Sequence, residues 1–259
     1  MSNSDSEAIR LERVSKRYRV REGRPALAES LYRRVIGSGA PAKEVWALRD
    51  VSFSVVRGES LGLVGSNGAG KSTLLKVIAG IATSTTGRVD VRGRVCTQLD
   101  LGAGFHPYLT GRENVFLQGT ILGMSNRSLR DLFPRIIEFA GLDGAIDRQL
   151  WTYSSGMIAR LGFAVAAHVA FEILLLDEAI SAGDSRFRRR CEDTLHRFRA
   201  SGGTLIIVSH ATENLRALCD RGLWLDDGRV RGWGPAREIF DRYEEWEHRN
   251  RAPRAGDKP

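Results

Sequence analysis

The clearest chemistry in the chain lies in a glycine-rich stretch at residues 65–72, which reads GSNGAGKS. It follows an apolar run at 61–64 and precedes a helical pattern at 73–79, and this context argues against a chance turn. Glycines let backbone N–H groups turn inward around phosphate oxygens, and the start of the helix adds the positive end of its dipole. Lys71 contributes a point charge, and the Ser72 hydroxyl suits Mg2+. The stretch therefore predicts a phosphate-binding loop with a metal ion beside it.

A pair of acids, Asp177-Glu178, ends the apolar run at residues 173–176. Consecutive acids at the carboxyl end of a buried strand face the ligand crevice of a parallel sheet. Asp177 would reach Mg2+ through water, and Glu178 would orient or deprotonate the water that attacks a terminal phosphate. The plain alternative is a pair of acids near a helix dipole. The phosphate-binding loop favours the catalytic interpretation.

A histidine follows the third buried run, residues 205–208, in the dipeptide Ser209-His210. The imidazole would lie at the same edge of the sheet, where it could hydrogen-bond a terminal phosphate. A structural role is the alternative for any single histidine. The other histidines have no such context, and we assign no chemistry to His106, His168, His196 and His248.

Small hydroxyl residues open another predicted helix, at residues 158–170. Ser154, Ser155 and Gly156 at this position predict a second anion-binding site, with an ordinary helix cap as the alternative. One chain would then have two phosphate-binding surfaces and only one catalytic set. This arrangement fits a nucleotide held between two copies of the chain.

The apolar runs at 61–64, 173–176 and 205–208, each followed by a helical pattern, predict an α/β fold. Its core is a mostly parallel sheet flanked by helices. Residues 9–14, 51–56 and 87–95 alternate in polarity and predict an antiparallel β subdomain alongside. Between about 98 and 170 the pattern predicts a helical subdomain.

Several helices can be placed within this plan. Thr110 and Glu113 form a capping box for a helix that runs to residue 122, and a second helix covers 129–140. An insert at 21–44 has apolar residues at helical spacing and predicts a short amphipathic helix. A helix from Pro235 precedes a polar, disordered tail at 249–259.

Composition narrows the class of protein. The chain has 259 residues, of which 42% are hydrophobic and 27% charged, so a folded domain is expected. Residues 1–9 lack a secretory signal, and the apolar stretch at 161–176 is too short to span a membrane. Three cysteines without metal-ligand spacing indicate a reducing compartment. The net charge of +8 comes from arginines scattered among acids, with a solvated helix face at 186–190, and we predict no nucleic-acid partner.

These motifs, in this order, resemble the nucleotide-binding domain of ABC transporters over residues 11–234. The resemblance implies the P-loop NTPase fold of the ABC-ATPase type, ATP and Mg2+ as cofactors, and a homodimer that closes around two ATP molecules. It makes Lys71, Glu178 and His210 catalytic, and Asp177 and Ser72 metal-binding. It also places Asp184 in the D-loop and Ser154, Ser155 and Gly156 on the partner's ATP. The phosphate-binding residues would be Gly65, Ser66, Asn67, Gly68, Ala69, Gly70, Lys71, Ser72 and Thr73.

Tyr18 occupies the place where the family usually stacks an aromatic ring on adenine, with Trp46 as the substitute. Two other positions depart from the usual pattern of the family. Most members have Leu-Ser-Gly-Gly-Gln where this chain has residues 153–157. The Q-loop position, which would also ligate the metal, falls near Asp100, while Gln98 lies two residues away. We leave both alternatives open.

The stretches at 101–107 and 109–114, together with the insert at 21–44, are similar to the polysaccharide-exporter branch of the family. The insert then resembles a gate helix, and a surface excursion is the alternative. The resemblance implies two integral membrane permease subunits, a lipid-linked polysaccharide cargo and a site at the cytoplasmic face of the membrane. We expect one nucleotide-binding domain at 1–234, a C-terminal segment at 235–259 and no C-terminal sugar-binding domain. A drug or lipid cargo, a soluble ATPase of this family and a nucleotide switch without hydrolysis are the alternatives.

Overall fold

The computed structural model of the protein describes residues 6–20, 43–97, 104–177, 185–209 and 212–250. The predicted insert helix within 21–42 and most of the tail, 251–259, lie outside these ranges. The strands are β1 Glu7–Val20, β2 Lys43–Val56, β3 Ser60–Val64, β4 Thr86–Val91, β5 Val95–Thr97, β6 Ile173–Asp177, β7 Thr204–Val208, β8 Arg221–Asp226 and β9 Arg229–Pro235. The helices are α1 Lys71–Ile78, α2 Gly111–Ile121, α3 Asn126–Ala140, α4 Ser155–Ala166, α5 Ser185–Ala200, α6 Thr212–Leu218 and α7 Ala236–Asn250, with a 3-10 turn at Leu150–Thr152.

A six-stranded sheet in the order β5-β6-β7-β3-β8-β9 forms the centre of the protein. All its neighbouring strands run parallel except β8 and β9, which form an antiparallel hairpin. Every residue of β3 and β7 is buried, which explains their continuous apolar sequence. The three predicted parallel strands are confirmed. Because β7 lies between β3 and β6, the carboxyl ends of these three strands are adjacent.

A three-stranded antiparallel sheet, β2-β1-β4, packs beside this centre. Leu11 of β1 pairs with Phe53 of β2 on one side and with Val89 of β4 on the other. The predicted antiparallel sheet is therefore confirmed. β2 begins at Lys43, so the last two residues of the predicted insert belong to a strand.

The prediction that residues 87–95 belong to the antiparallel sheet is confirmed for the first part of the segment and wrong for the last. The segment divides into β4 in the antiparallel sheet and β5 in the parallel sheet, where Val95 pairs with Ile173. The chain turns at Gly93, whose φ is 135°, and a Cβ there would lie 2.8 Å from Oε2 of Glu172. The alternation of Val89, Val91 and Val95 continues across this turn, so polarity alone could not reveal the change of sheet.

Helices α2, α3 and α4 pack around a core of their own, which includes Val115, Ile136 and Leu161. The capping box is confirmed, because Glu113 N donates to Oγ1 of Thr110 over 3.2 Å and Thr110 N donates to Oε2 of Glu113 over 2.8 Å. The hydrogen bonds from the Thr110 backbone and hydroxyl lower the pKa of the Glu113 carboxyl. Helix α4 begins and ends earlier than the predicted 158–170.

The C-terminal helix α7 is confirmed, and its apolar face belongs to the central core. Ile239, Phe240 and Tyr243 are buried, and the helix packs against strands β3, β8 and β9. The helix runs to Asn250, so Arg249 is helical rather than part of a tail. None of the helices described is long and apolar enough to cross a membrane.

The arginine-rich run at 186–190 lies on α5, as predicted, but only part of it faces solvent. Arg186, Arg188 and Arg189 are exposed, whereas Phe187 is buried against Phe139 and Phe163. The run is therefore a helix with one apolar anchor and a solvated basic face.

Candidate functional site

The glycine-rich loop joins β3 to α1 and is held between two neighbouring pieces of backbone. A Cβ on Gly65, at φ 152°, would lie 2.1 Å from the carbonyl oxygen of Leu225. A Cβ on Gly70, at φ 104°, would lie 2.3 Å from the carbonyl oxygen of Ala47. The N–H of Gly228 donates to the carbonyl of Ala69 over 3.0 Å and pins the loop to the β8–β9 turn. These backbone neighbours therefore restrict the curvature of the loop.

The start of α1 keeps its positive end available to a ligand. Gly70 is the N-cap residue and makes no side-chain cap, and this helix, all of which is described, has no acid in its first turn. Backbone N–H groups at a helix start attract anions when the protein does not satisfy them. The end of the loop is thus electropositive in the way that a phosphate requires.

Lys71 folds back over this loop. The side chain is only 7% exposed, and Nζ donates to the carbonyl oxygens of Gly65 over 2.7 Å and of Ser66 over 3.0 Å. These two contacts hold Nζ against the loop. An anion bound in the loop would place a negative charge beside this buried ammonium group. The predicted phosphate-binding role thus has a physical basis in the geometry.

Ser72 and Asp177 come together as a pair of oxygen ligands. Oγ of Ser72 donates to Oδ2 of Asp177 over 2.8 Å, across the end of β7. Hydroxyl and carboxylate oxygens are ligands that Mg2+ accepts, so the pair fits this ion. The described residues contain no group of three or more His, Cys, Asp or Glu that could hold a metal. Phosphate and water oxygens commonly supply much of the shell of a protein-bound Mg2+.

Several predicted site residues, Gln98, Asp100, Glu178, Asp184 and His210, lie outside the described residues. Their roles stay predictions. The strands that precede two of these residues are described. β6 ends at Asp177, directly before Glu178, and β7 ends at Val208, two residues before His210. Both strand ends lie on the side of the sheet where the loop follows β3.

The predicted second anion site lies at the start of α4, in the helical region. Ser154 is the N-cap, and its Oγ accepts a hydrogen bond from the N–H of Met157 over 3.2 Å. Ser154 and Ser155 are exposed, and a Cβ on Gly156 would meet only Oγ of Ser154, 3.9 Å away. Among the described residues, Ser154 makes no hydrogen bond to the phosphate-binding loop.

The two candidate adenine-stacking residues lie on neighbouring strands. Tyr18 of β1 is 37% exposed, and Nζ of Lys16 lies 5.0 Å from its ring centroid. Trp46 of β2 is half-buried under the guanidinium of Arg17 and directly precedes Ala47, whose carbonyl borders the loop. Both remain candidates.

Sequence reasoning missed the β8–β9 hairpin, which supplies one wall of the loop. Its turn consists of Asp227 and Gly228, with φ values of 44° and 71°. An Asp-Gly pair between two short apolar strands is a strong hairpin signature, because both residues adopt positive φ. This dipeptide could have revealed the hairpin, although not its contact with Ala69.

Asn114, another residue that sequence reasoning left without a role, organises the loop before α2. It is fully buried, and Oδ1 accepts from the N–H of His106 over 2.7 Å. Its Nδ2 donates to the carbonyls of Leu109 and Thr110 over 3.1 and 2.9 Å. The stretch at 109–114 thus has a structural explanation, since Asn114 replaces the hydrogen bonds that the loop cannot make itself.

An exposed aromatic pair lies on this same loop region. Tyr108 is 71% exposed and Trp151 is 63% exposed. The backbone N–H of Trp151 donates to the carbonyl of Pro107 over 2.9 Å. Large aromatic side chains held in solvent on a fixed backbone are typical of contact surfaces.

The cysteines add no reactive group to the site. Cys96, Cys191 and Cys219 are buried and form no disulfide. Burial raises the pKa of Cys191 and of Cys219 to about 12. Both are therefore neutral thiols that fill the core.

Comparison with known proteins identifies the class. The model of the ABC transporter family matches residues 48–181. The chain is 43% identical over 199 residues to the O-antigen export system ATP-binding protein RfbB of Klebsiella pneumoniae, covering 77% of this chain and 81% of that protein. It is 37% identical over 238 residues to the teichoic acids export ATP-binding protein TagH of Listeria monocytogenes, covering 92% and 70%. The chain belongs to the ABC transporter family.

The fold agrees with this assignment. A dimeric post-hydrolysis structure of the ATP-binding cassette MJ0796, bound to ADP and Pi, superimposes with a TM-score of 0.70. The match covers 88% of this chain and 98% of that chain at 22% identity. The predicted fold class, an α/β cassette with an antiparallel and a helical part, is confirmed.

Proposed function

We propose that this protein is the ATP-hydrolysing subunit of an exporter that moves a lipid-linked polysaccharide across the cytoplasmic membrane. The cargo would be an O-antigen, a capsule, a galactan or a teichoic-acid-like chain. The observation that carries the proposal is the preformed loop at 65–71, joined through Ser72 to Asp177, in a close relative of export ATP-binding proteins. The subunit would work peripherally at the cytoplasmic face.

Binding of ATP would use the positive start of α1 and the buried Lys71, which moves from backbone carbonyls onto phosphate oxygens. Ser72 and Asp177 would hold Mg2+, with Gln98 or Asp100 as a further ligand. The ion supplies charge neutralisation on the phosphates when it is bound. Positioning and charge stabilisation are the main contributions a protein makes to phosphoryl transfer.

Hydrolysis would depend on residues at the ends of the two strands beyond β3. Glu178, next to Asp177, would orient the attacking water and accept its proton. His210, after β7, would donate a hydrogen bond to the terminal phosphate. In the sheet order β7 is the neighbour of β3 and β6 is the next strand, which supports this division of roles.

A second copy of the chain would complete each site. Ser154, Ser155 and Gly156 would contact the ATP held by the other copy, and Asp184 would lie at the interface. The support is that this second anion site lies at an exposed helix start, whose Ser154 makes no hydrogen bond to the loop of its own chain among the described residues. Two permease subunits would bind the dimer, and exposed Tyr108 and Trp151 offer a contact surface for them.

The test of hydrolysis is a pair of variants in the purified chain. Glu178→Gln should still bind labelled ATP but lower phosphate release on the order of 1,000-fold, because the general base is lost. It should also accumulate a nucleotide-trapped dimer, visible by size-exclusion chromatography. Lys71→Ala is the negative control for nucleotide binding, and it should retain no nucleotide. Wild-type phosphate release by Glu178→Gln would refute the assignment of the base.

The test of export is made in cells. Loss of the gene should leave a lipid-linked glycan inside the cytoplasmic membrane, and a detergent extract should yield a membrane protein bound to the tagged chain. Active ATPase without any membrane partner would favour a soluble ATPase of this family. Accumulation of a drug or a simple lipid instead of a glycan would favour a different cargo.

A further inference from the structure

Arg190 of α5 holds the end of helix α3. Its Nη1 donates to the backbone carbonyl of Glu138 over 2.9 Å and to that of Phe139 over 3.2 Å. Both carbonyls belong to the last turn of α3, which ends at Ala140. The last carbonyls of a helix carry its negative end, so a cation beside them is favourable. Every residue of α3 is described and none in its last turn is basic, so α5 supplies the cation.

A second arginine makes the same kind of contact with the end of α2. Arg94 directly precedes β5, and its backbone carbonyl accepts the N–H groups of Glu172 and Ile173. Its Nη2 donates to the carbonyl of Leu122, the C-cap residue of α2. A Cβ on Gly123, whose φ is 78°, would lie 2.6 Å from this Nη2, so the glycine leaves room for the guanidinium. The helical region, α2 to α4, is therefore held at two helix ends by arginines from outside it.

Helix α5 is itself anchored in the central core. Its Leu195 lies in the buried cluster that includes Leu176 of β6. One turn before Arg190, the ring of Phe187 packs against that of Phe139 of α3, with 5.8 Å between the centroids. Arg190 adds a directional contact to this apolar one, because hydrogen bonds weaken steeply away from their preferred angle. The side chain thus fixes the end of α3 relative to the central sheet.

A short, packed stretch of chain connects the end of α3 to the second anion site. Leu142 is buried after the helix, and its carbonyl accepts the N–H of Ala145 over 2.9 Å. The carbonyl of Ala145 accepts the hydroxyl of Tyr153 over 2.7 Å. Tyr153 is buried and directly precedes Ser154, the N-cap residue of α4. The position of Ser154 relative to α5 therefore depends on how the end of α3 is held.

We propose that Arg190 is a positioning residue for ATP hydrolysis, which holds the helical region so that the start of α4 meets the ATP of a second copy. This proposal rests on the function proposed above. The guanidinium touches neither nucleotide nor metal in this role. It binds two carbonyls of α3, and through the stretch from Leu142 to Tyr153 it determines where Ser154 lies.

A role in stability alone makes a different forecast, which two control variants test. Ser125 caps the other end of α3, where its hydroxyl accepts the N–H of Ser128 over 3.1 Å. Ser125→Ala therefore weakens the same helix without releasing it from α5. Arg189 is the adjacent arginine of α5 and is exposed, so Arg189→Met removes an equal charge from the same helix. Arg190→Met keeps the apolar stem of the side chain and loses only the donors and the charge.

The first experiment measures a distance in the purified full chain without nucleotide. Spin labels on Trp151→Cys and Val56→Cys, both at exposed positions, report the separation of the helical region from the antiparallel sheet by pulsed electron paramagnetic resonance. The native cysteines are buried and do not compete for the label. In Arg190→Met the width of the distance distribution should increase at least about 1.5-fold. Arg189→Met and Ser125→Ala should keep the wild-type width.

The second experiment measures steady-state ATP hydrolysis by phosphate release. Arg190→Met should lower kcat about tenfold with KM for ATP unchanged, because misplacement of a contacting group lowers turnover more than binding. Arg190→Lys keeps a cation that can donate to the carbonyls and should restore most of the rate. Arg189→Met and Ser125→Ala should hydrolyse ATP normally. When Ser154→Ala is already present, Arg190→Met should cost less than about a further twofold, because both changes act on the same contact.

An unchanged distance distribution or a wild-type kcat in Arg190→Met would overturn the proposal. An equal loss of kcat in Arg189→Met or in Ser125→Ala would do so as well, since charge or helix stability would then explain the effect. Full additivity with Ser154→Ala would show that Arg190 acts on another part of the site.

If Arg190→Met does not fold, Tyr153→Phe decides. It removes the hydroxyl contact with Ala145 and leaves Arg190 in place, so a lowered kcat supports the proposal and a wild-type kcat overturns it. A wild-type chain that releases no phosphate would instead refute the proposed function, while the distance measurement would still show whether Arg190 holds the helical region.

Discussion

Two helices of this protein begin with small residues that predict an anion site, yet their first turns differ. At α1 the N-cap is Gly70, which makes no side-chain cap, and Lys71 is buried over the loop. At α4 the N-cap is Ser154, whose hydroxyl already accepts the N–H of Met157. The first helix start is walled by backbone from β2 and β8, whereas the second is open to solvent.

Under the proposed function, this difference indicates that the two sites would bind a nucleotide in different ways. The start of α1 is preorganised inside one chain, because its neighbours force the loop into shape before any ligand arrives. The start of α4 has a satisfied cap and no enclosing wall, so it can contribute only when something is brought against it. Under the proposed function, that partner is the ATP held by a second copy.

The largest expected effect comes from placing a methyl group at each helix start, which tests whether the two starts differ in how tightly they are enclosed. Gly70→Ala puts a Cβ 2.3 Å from the Ala47 carbonyl at a φ of 104°. We expect a loss of about 3 kcal/mol in the free energy of unfolding and no measurable ATP binding. Chemical denaturation and nucleotide retention would measure the two effects.

Gly156→Ala is the matched variant for that prediction. Its Cβ meets only Oγ of Ser154 at 3.9 Å, so the free energy of unfolding should stay within about 0.5 kcal/mol of the wild type. ATP binding by the single chain should persist, while ATP hydrolysis by the dimer falls. Equal stability losses in the two glycine variants would show that the walls around the two helix starts do not differ as the contacts indicate.

A smaller expected effect distinguishes the role of Ser154 as a helix cap from its predicted contact with the nucleotide. Ser154→Ala removes the cap of α4, and Ser125→Ala removes the cap of α3, where Ser125 accepts the N–H of Ser128 over 3.1 Å. Each variant should lose about 1 kcal/mol of stability, because both serines cap a helix in the same way. Only Ser154→Ala should lower ATP hydrolysis, measured by phosphate release at saturating ATP.

Ser125 makes this pair informative because it has no predicted contact with a nucleotide. If both serine variants hydrolyse ATP like the wild type while losing equal stability, then Ser154 is a cap alone. The second anion site would then lose its main support.

The smallest expected effect concerns the base of the nucleotide. Tyr18→Ala should weaken ATP binding by about 1 kcal/mol if its ring stacks on adenine, and Trp46→Ala should do so if the indole stacks instead. Titration of each variant with ATP and with inorganic triphosphate distinguishes them, because only the stacking residue affects ATP alone. Unchanged affinity in both variants would exclude both candidates.

Much of the fold followed from short-range patterns in the sequence. The buried runs ending at Val64, Leu176 and Val208 predicted three parallel strands, and Thr110 with Glu113 predicted a capped helix, all of which are confirmed. These features depend on residues within a few positions of each other. Local propensity and hydrogen bonding therefore suffice to predict them.

Other features of the fold could not be predicted from short-range patterns in the sequence. Residues 87–95 were all assigned to the antiparallel sheet because polarity alternates through Gly93, and only the contact with Glu172 reveals the turn. The Asp227-Gly228 turn was readable as a hairpin, but its contact with Ala69 joins positions far apart in the chain. Long-range packing, not propensity, creates such contacts.

The sequence alone therefore predicted the residue types that suit phosphate and metal binding. A loop such as 65–72 would act through its own backbone and its immediate neighbours, which the sequence shows directly. The walls formed by Ala47 and Leu225 and the contact of Arg190 with the end of α3 required the folded chain. These contacts depend on how sheets and helices pack, and a polarity pattern specifies which face is buried without specifying which distant residue lies against it.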